Sequence, residues 1–99
     1  MGKFDRAAFK ADIPEGEGKA IALGDREIAL FNLGGEFFAL DNVCPHRGGS
    51  LGSGAVDGEI VICPLHGWEF NIKTGRMSMA DGVDSYQVRI DGERILVEI

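Results

Sequence analysis

Four residues of this 99-residue chain have the types and the spacing of metal ligands. Cys44-Pro45-His46 is followed, after sixteen residues, by Cys63-Pro64-Leu65-His66, and the chain has no other cysteine or histidine. Each short motif therefore combines one thiol with one imidazole, and a proline follows each cysteine. Two matched pairs of this kind are improbable as a coincidence. We therefore expect one site built from Cys44, His46, Cys63 and His66.

Two thiolates and two imidazoles permit two kinds of metal site. They can bind one zinc ion tetrahedrally, or they can hold a 2Fe-2S cluster with both cysteines on one iron and both histidines on the other. Zinc fingers usually pair like with like, whereas each motif here mixes the two ligand types. Two facing loops of this composition can each supply one ligand to either iron, which favours the cluster. Structural zinc, a Cys44–Cys63 disulfide and four unrelated core residues remain as alternatives.

The pattern Cys-x-His, sixteen residues, Cys-x-x-His resembles the Rieske signature, as do the flanking Arg47-Gly48 and Gly67-Trp68-Glu69-Phe70. The resemblance covers essentially the whole chain. It implies one 2Fe-2S cluster per chain, with electrons entering and leaving on the histidine side. The implied ligands are Cys44 and Cys63 on one iron, and His46 and His66, through Nδ1, on the outer, more exposed iron.

Short apolar runs separated by turn residues predict the fold. Gly24-Asp25 and Gly34-Gly35 are strong hairpin signals, and they join three runs into a meander. The fold class is therefore all-β, with about nine short strands in a small antiparallel sandwich or barrel base and both ligand loops at one end. By resemblance this is the Rieske fold. The predicted strands are 3–10, 19–23, 26–33, 36–40, 59–62, 68–72, 85–90 and 94–99, and the ligand loops are about 43–49 and 63–68.

The loop after the first motif is rich in glycine, at Gly48, Gly49, Gly52 and Gly54. Glycines allow backbone amides to approach an anionic group closely. We interpret these four residues as a cradle for the cluster sulfur atoms.

Length and composition predict one globular domain, 1–99, in which 44% of the residues are apolar. The N-terminus has no apolar signal region, and no run approaches the eighteen apolar residues of a membrane span. We therefore expect a soluble, cytoplasmic protein with no membrane partner. Two cysteines in such a chain favour reduced thiols that act as ligands.

The net charge of -6 argues against a nucleic-acid partner, which would require a basic face. Residues 1–43 carry five Lys+Arg and eight Asp+Glu, residues 44–76 carry three of each, and residues 77–99 carry two and five, so the net charges are -3, 0 and -3. Ordinary surface acidity accounts for this distribution. A second interpretation is a neutral docking tip on an acidic carrier that is steered toward basic redox partners.

The sequences Arg47-Gly48 and His66-Gly67-Trp68 are also similar to the Rieske domain of ring-hydroxylating oxygenases. Those enzymes need a mononuclear iron with two further histidines and a carboxylate, and this chain has no further histidine. We therefore expect an electron carrier and not an enzyme: a ferredoxin between a flavin-dependent reductase and a terminal oxygenase. The small Rieske subunit of an NAD(P)H-dependent nitrite reductase is the alternative, and a zinc-binding interaction module is the third hypothesis.

Relatives of high potential carry two further cysteines and hydroxyl groups two and four residues after the second histidine. This chain has neither feature, because Trp68 and Phe70 occupy those two positions. The resemblance therefore implies a low-potential ferredoxin. Relatives also cover the cluster with a proline-rich loop, whereas residues 77–84 contain no proline.

Overall fold

The computed structural model describes residues 3–43, 49–64, 67–77 and 82–99, and the strands within these ranges form three antiparallel sheets. The strands are β1 (Phe4–Phe9), β2 (Gly18–Leu23), β3 (Arg26–Leu33), β4 (Glu36–Asp41), β5 (Ala55–Asp57), β6 (Ile60–Ile62), β7 (Glu69–Asn71), β8 (Ser85–Tyr86), β9 (Val88–Asp91) and β10 (Arg94–Glu98). Two short 3-10 turns, Lys10–Asp12 and Leu51–Ser53, interrupt the strand order. The sheet orders are β1-β10-β9, β2-β3-β4-β8 and β5-β6-β7.

The four-stranded sheet lies in the middle, and its strand β3 carries buried residues on both faces. Successive side chains of a strand point to opposite faces, so β3 supplies two cores at once. Ala29 and Phe31 point to one core, and Ile28 and Leu30 point to the other. This is why the middle of β3, residues 28–31, is continuously apolar instead of alternating with polar residues.

The two cores lie on opposite faces of the central sheet, and only one of them contains Cys63. The site core lies between the central sheet and the sheet β5-β6-β7, and it consists of Ala29, Phe31, Leu40, Leu51, Val61, Cys63, Phe70 and Ile72. The base core lies between the central sheet and the sheet β1-β10-β9, and it consists of Ala8, Ile13, Leu23, Ile28, Leu30, Ala39, Ile95 and Val97.

The predicted all-β class with antiparallel sheets is confirmed, and so is the meander of β2, β3 and β4. The short β8 adds a fourth strand to that meander by pairing with β4. The predicted continuous strand 85–90 is wrong, because the chain leaves the central sheet at Gln87 and β9 pairs with β10 in another sheet. Strand β5 was not predicted; it is three residues long and pairs with β6.

The closing hairpin also differs by one residue from the expected turn over Asp91-Gly92. Asp91 pairs with Arg94, so the two turn residues are Gly92 and Glu93. In the part of the chain that the structure describes, no helix is long and apolar enough to cross a membrane.

Candidate metal centre

Cys63 is the one predicted ligand that lies among the described residues. It follows β6 directly, it is a free thiol, and only 1% of its surface is exposed. Its neighbours in the site core are aliphatic and aromatic. A thiolate at such a position needs a compensating charge, which a metal ion provides. The buried position therefore fits a metal-bound cysteine, and the free thiol does not support the disulfide alternative.

Two backbone hydrogen bonds close the base of the second ligand loop. We call this closed base the second neck (Cys63, Gly67 and Trp68). The amide of Cys63 donates to the carbonyl of Trp68 at 2.8 Å, and the amide of Gly67 donates to the carbonyl of Cys63 at 3.0 Å. The chain therefore returns to the start of β7 within a few residues of leaving β6. His66 lies in this interval but outside the described residues.

The first ligand loop is also closed at its base, by what we call the first neck (Asn42, Val43, Ser50 and Leu51). Val43 and Ser50 form an antiparallel bridge, and the amide of Leu51 donates to the carbonyl of Asn42 at 2.9 Å. Cys44 and His46 fall between the two sides of this neck, outside the described residues.

The two necks open at the same end of the sheet β5-β6-β7. The 3-10 turn that begins at Leu51 leads into β5, and Ala55 of β5 pairs with Ile62, the residue before Cys63. Leu51 and Cys63 also pack in the same core. Two loops that start from adjacent necks can face a common group. The described backbone is therefore compatible with the predicted four-residue site, whose ligand set stays a prediction.

The interpretation of Gly52 and Gly54 as part of a sulfur cradle is wrong. The amide of Gly52 donates to the side chain of Asn42, and the amide of Gly54 donates to the carbonyl of Leu51. A Cβ on Gly52 would lie 2.5 Å from the backbone nitrogen of Ala20 on β2, and one on Gly54 would overlap the carbonyl oxygen of Ile62. These two glycines allow the 3-10 turn to pack closely against β2 and β6. Gly48 lies outside the described residues, so its place in the proposed cradle stays a prediction.

Two backbone segments approach each other closely beside the site core. We call this contact the third neck (Gly75, Gly82 and Val83). The amide of Val83 donates to the carbonyl of Gly75 at 2.8 Å, and a Cβ on either glycine would overlap backbone atoms of the other segment. Met77 and Val83 pack against the site core. Residues 78–81 lie outside the described residues. The third neck therefore fixes both ends of the segment 77–84, where relatives carry a proline-rich loop and this chain has no proline.

Asn42 is a residue of the site that the sequence reasoning missed. It is 1% exposed, although it stands in the polar sequence Asp41-Asn42 directly before the first motif. A polar residue beside a ligand motif was the available signal. Its partners were not predictable, because Glu27 and Gly52 are fifteen and ten residues away from it.

A comparison with protein families matches residues 4–93 to the Rieske [2Fe-2S] domain. The chain belongs to this family. The predicted 2Fe-2S cofactor is thereby confirmed as that of the family, and the donor chemistry of two cysteines and two histidines fits it. The buried thiol of Cys63 fits it as well.

Individual Rieske relatives cover the chain almost completely. The ferredoxin component of a naphthalene 1,2-dioxygenase system from Pseudomonas aeruginosa is 33% identical over 98% of this chain and 96% of its own length. A ferredoxin structure from Sphingomonas yanoikuyae B1 has 30% identity and a TM-score of 0.89, and it covers 98% of this chain and 99% of that one.

A nitrite reductase protein has the same fold over the same length. The structure of a putative NADH-dependent nitrite reductase small subunit from Mycobacterium tuberculosis has 25% identity and a TM-score of 0.89, and it covers 100% of this chain and 96% of that one. The Rieske fold is therefore confirmed for this chain, and both functional hypotheses have relatives of that fold.

Proposed function

We propose that this chain is a one-electron carrier, the Rieske ferredoxin that passes electrons from a flavin-dependent reductase to a terminal oxygenase. The observation that carries the proposal is the match to a dioxygenase ferredoxin component over nearly the whole of both chains. The Rieske match at residues 4–93 supports an electron-transfer role for this chain. The histidine count supports the same role, because the two histidines present leave none for a mononuclear oxygenase iron.

We assign the cluster ligands as the motif spacing indicates. When bound, the cluster accepts and releases one electron. Two ferric ions, two sulfides and two thiolates sum to zero charge, and the imidazoles add none, so the oxidised site is neutral. A neutral group suits a position beside the apolar site core better than a doubly charged four-cysteine cluster would. The assigned ligands are Cys44 and Cys63 on one iron, and His46 and His66 on the other.

The direct test is electron transfer between purified components. The iron-loaded protein is mixed with the flavin reductase and the terminal oxygenase encoded beside its gene, with NADH as electron donor and an aromatic substrate. Product formation should depend on this protein and should saturate as its concentration rises, which is the behaviour of a diffusible carrier. If the oxygenase turns over equally fast without the protein, the proposed role is wrong.

The small subunit of a nitrite reductase is the second candidate, and the match to the Mycobacterium tuberculosis structure favours it. A subunit and a shuttle differ in how they associate. A subunit copurifies with its large partner in a fixed ratio and supports NADH-dependent nitrite reduction. A carrier dissociates after each transfer, and its complex is not retained on a sizing column. Copurification with the large subunit would decide for the nitrite reductase.

We also propose a cytoplasmic location. The proposed use of both cysteines as ligands and not as a disulfide favours a reducing compartment. A reductase that draws on NADH would also operate there. Fractionation of cells that express the chromosomal copy tests this location, and recovery of the protein in the periplasmic fraction would contradict it.

A further inference from the structure

Asn42 makes an unusually complete set of hydrogen bonds for a buried side chain. Its Nδ2 donates to Oε1 of Glu27 and to Oγ of Ser50, each at 3.1 Å. Its Oδ1 accepts from the amide of Gly52 at 2.7 Å and from the hydroxyl of Ser50 at 3.2 Å. Each atom of the amide group thus has two partners. Only a side-chain amide, which has two N–H donors on its nitrogen and an acceptor oxygen, can make all of these hydrogen bonds.

These partners belong to two segments that are distant from each other in sequence and meet at the first neck. Glu27 lies on β3, Ser50 lies on the far side of the neck, and Gly52 lies in the 3-10 turn. The backbone of Asn42 adds two further bonds, because its amide donates to the carbonyl of Glu27 at 2.9 Å and its carbonyl accepts from Leu51 at 2.9 Å. The side chain therefore joins the start of the first ligand loop to the end of that loop and to the central sheet.

We propose that Asn42 is a positioning residue for the 2Fe-2S cluster. Its side-chain amide holds the first neck closed and sets the position from which Cys44 and His46 reach the irons. This inference rests on the ligand assignment proposed above. Asn42 touches neither the cluster nor a partner protein in this role, since it acts through Val43, Ser50 and the 3-10 turn.

Substitution of Asn42 by Asp provides a narrow test. The aspartate keeps the shape and one acceptor but removes both Nδ2 donors, and it places a carboxylate beside the carboxylate of Glu27. The second change Glu27→Gln then restores the contact with reversed polarity, because the glutamine amide donates to the aspartate. Glu27→Gln alone keeps an acceptor for Asn42, and it serves as the control for the altered surface charge.

A matched control is provided by Asn32, the other buried polar residue in the described part of the chain. Its Nδ2 donates to the carbonyl of Ile13 at 2.9 Å, and its Oδ1 accepts from the amide of Gly35 at 2.9 Å. Ile13 belongs to the base core, on the opposite face of the central sheet from Cys63. Asn32→Ala therefore removes buried hydrogen bonds without reaching a ligand loop.

The experiment compares iron-loaded wild type, Asn42→Asp, Glu27→Gln, the double variant and Asn32→Ala. Visible circular dichroism, the EPR g values and the midpoint potential report the cluster environment, and far-UV circular dichroism reports the fold. We expect altered spectra, a shifted potential and several-fold faster iron loss to a chelator in Asn42→Asp. Substantial recovery is expected in the double variant. Glu27→Gln and Asn32→Ala should keep wild-type cluster spectra even where the melting temperature falls.

Several outcomes would overturn the inference. The cluster readouts of Asn42→Asp could match those of wild type, or Asn32→Ala could change them equally, or the double variant could recover nothing. If Asn42→Asp takes up no cluster, recovery in the double variant still supports the inference, and failure of both contradicts it. Absence of iron and sulfide from the wild type would instead overturn the proposed function, so the two failures are distinguishable.

Discussion

The third neck yields a prediction whose size follows from two glycine positions. Gly75 has φ +78 and a Cβ there would overlap the carbonyl oxygen of Val83, whereas Gly24 has φ +65 and nothing within 4 Å of its Cβ position. Alanine at either position adopts a left-handed backbone, which costs about 1 to 2 kcal/mol. Only Gly75→Ala also forces two backbone segments apart. The difference between the variants therefore isolates the tight contact.

The extra cost at Gly75 has two parts. The hydrogen bond from the amide of Val83 to the carbonyl of Gly75 is lost or bent, which costs about 1 kcal/mol. Displacing a packed segment costs about 1 to 3 kcal/mol more, because Val83 packs against the site core. We expect Gly75→Ala to be less stable than Gly24→Ala by roughly 2 to 4 kcal/mol. For a domain of this size that corresponds to a melting temperature lower by about 10 to 20 °C.

The assay is thermal unfolding of the iron-loaded proteins at one scan rate, followed by far-UV circular dichroism and by visible absorbance of the cluster. A fixed rate is needed because unfolding with loss of the cluster is irreversible. Gly82→Ala gives a second comparison, since its Cβ would also overlap the carbonyl oxygen of Gly75. If Gly75→Ala melts within a few degrees of Gly24→Ala, the third neck does not hold its segment as tightly as we infer.

Four further predictions concern the cluster and its partners. His66→Ala should abolish cluster assembly or leave an unstable cluster, because the chain has no imidazole in reserve, and a normal Rieske spectrum would mean that another group ligates the iron. The midpoint potential should lie near the low end of the Rieske range, roughly -150 mV, and a value above about +200 mV would contradict the ferredoxin assignment. Phe70→Tyr places a phenol at a fully buried position and should raise the midpoint potential by about 40 mV for each kcal/mol of new hydrogen bonding to sulfur. An unchanged midpoint potential would mean that the phenol does not reach a sulfur. Electron transfer to a basic partner should slow as salt increases, because salt screens the exposed charges of both proteins. A rate that does not change with salt would mean that the acidic residues do not steer association with the partner.

The residue pattern predicted the cofactor, the all-β class and the central meander β2-β3-β4. Cysteine and histidine in matched pairs have few functions other than metal binding, so the proposed ligand set follows from the type and spacing of the four residues. Turn residues such as Gly24-Asp25 and Gly34-Gly35 act locally, and the hairpins they predict are present. These features depend on neighbours in sequence, which is why they could be inferred without coordinates.

Features that depend on distant contacts were not predictable. The hydrogen bonds of Asn42 need Glu27, which a separate strand brings into reach. Close packing of Gly52 against Ala20 is equally non-local, so a glycine in a loop was mistaken for part of a cradle. The break at Gln87 divides residues 85–90 between two sheets, since β8 pairs with β4 and β9 pairs with β10, and local propensity contains no information about these distant partners.

Metal and sulfide analysis of the purified protein tests the central claim most directly. The four proposed ligands Cys44, His46, Cys63 and His66 predict two irons and two acid-labile sulfides per chain, and an EPR signal of a mixed nitrogen and sulfur ligated 2Fe-2S cluster after reduction with dithionite. One zinc ion per chain with no labile sulfide and no EPR signal would contradict it, because the chain would then be a zinc-binding module that carries no electron.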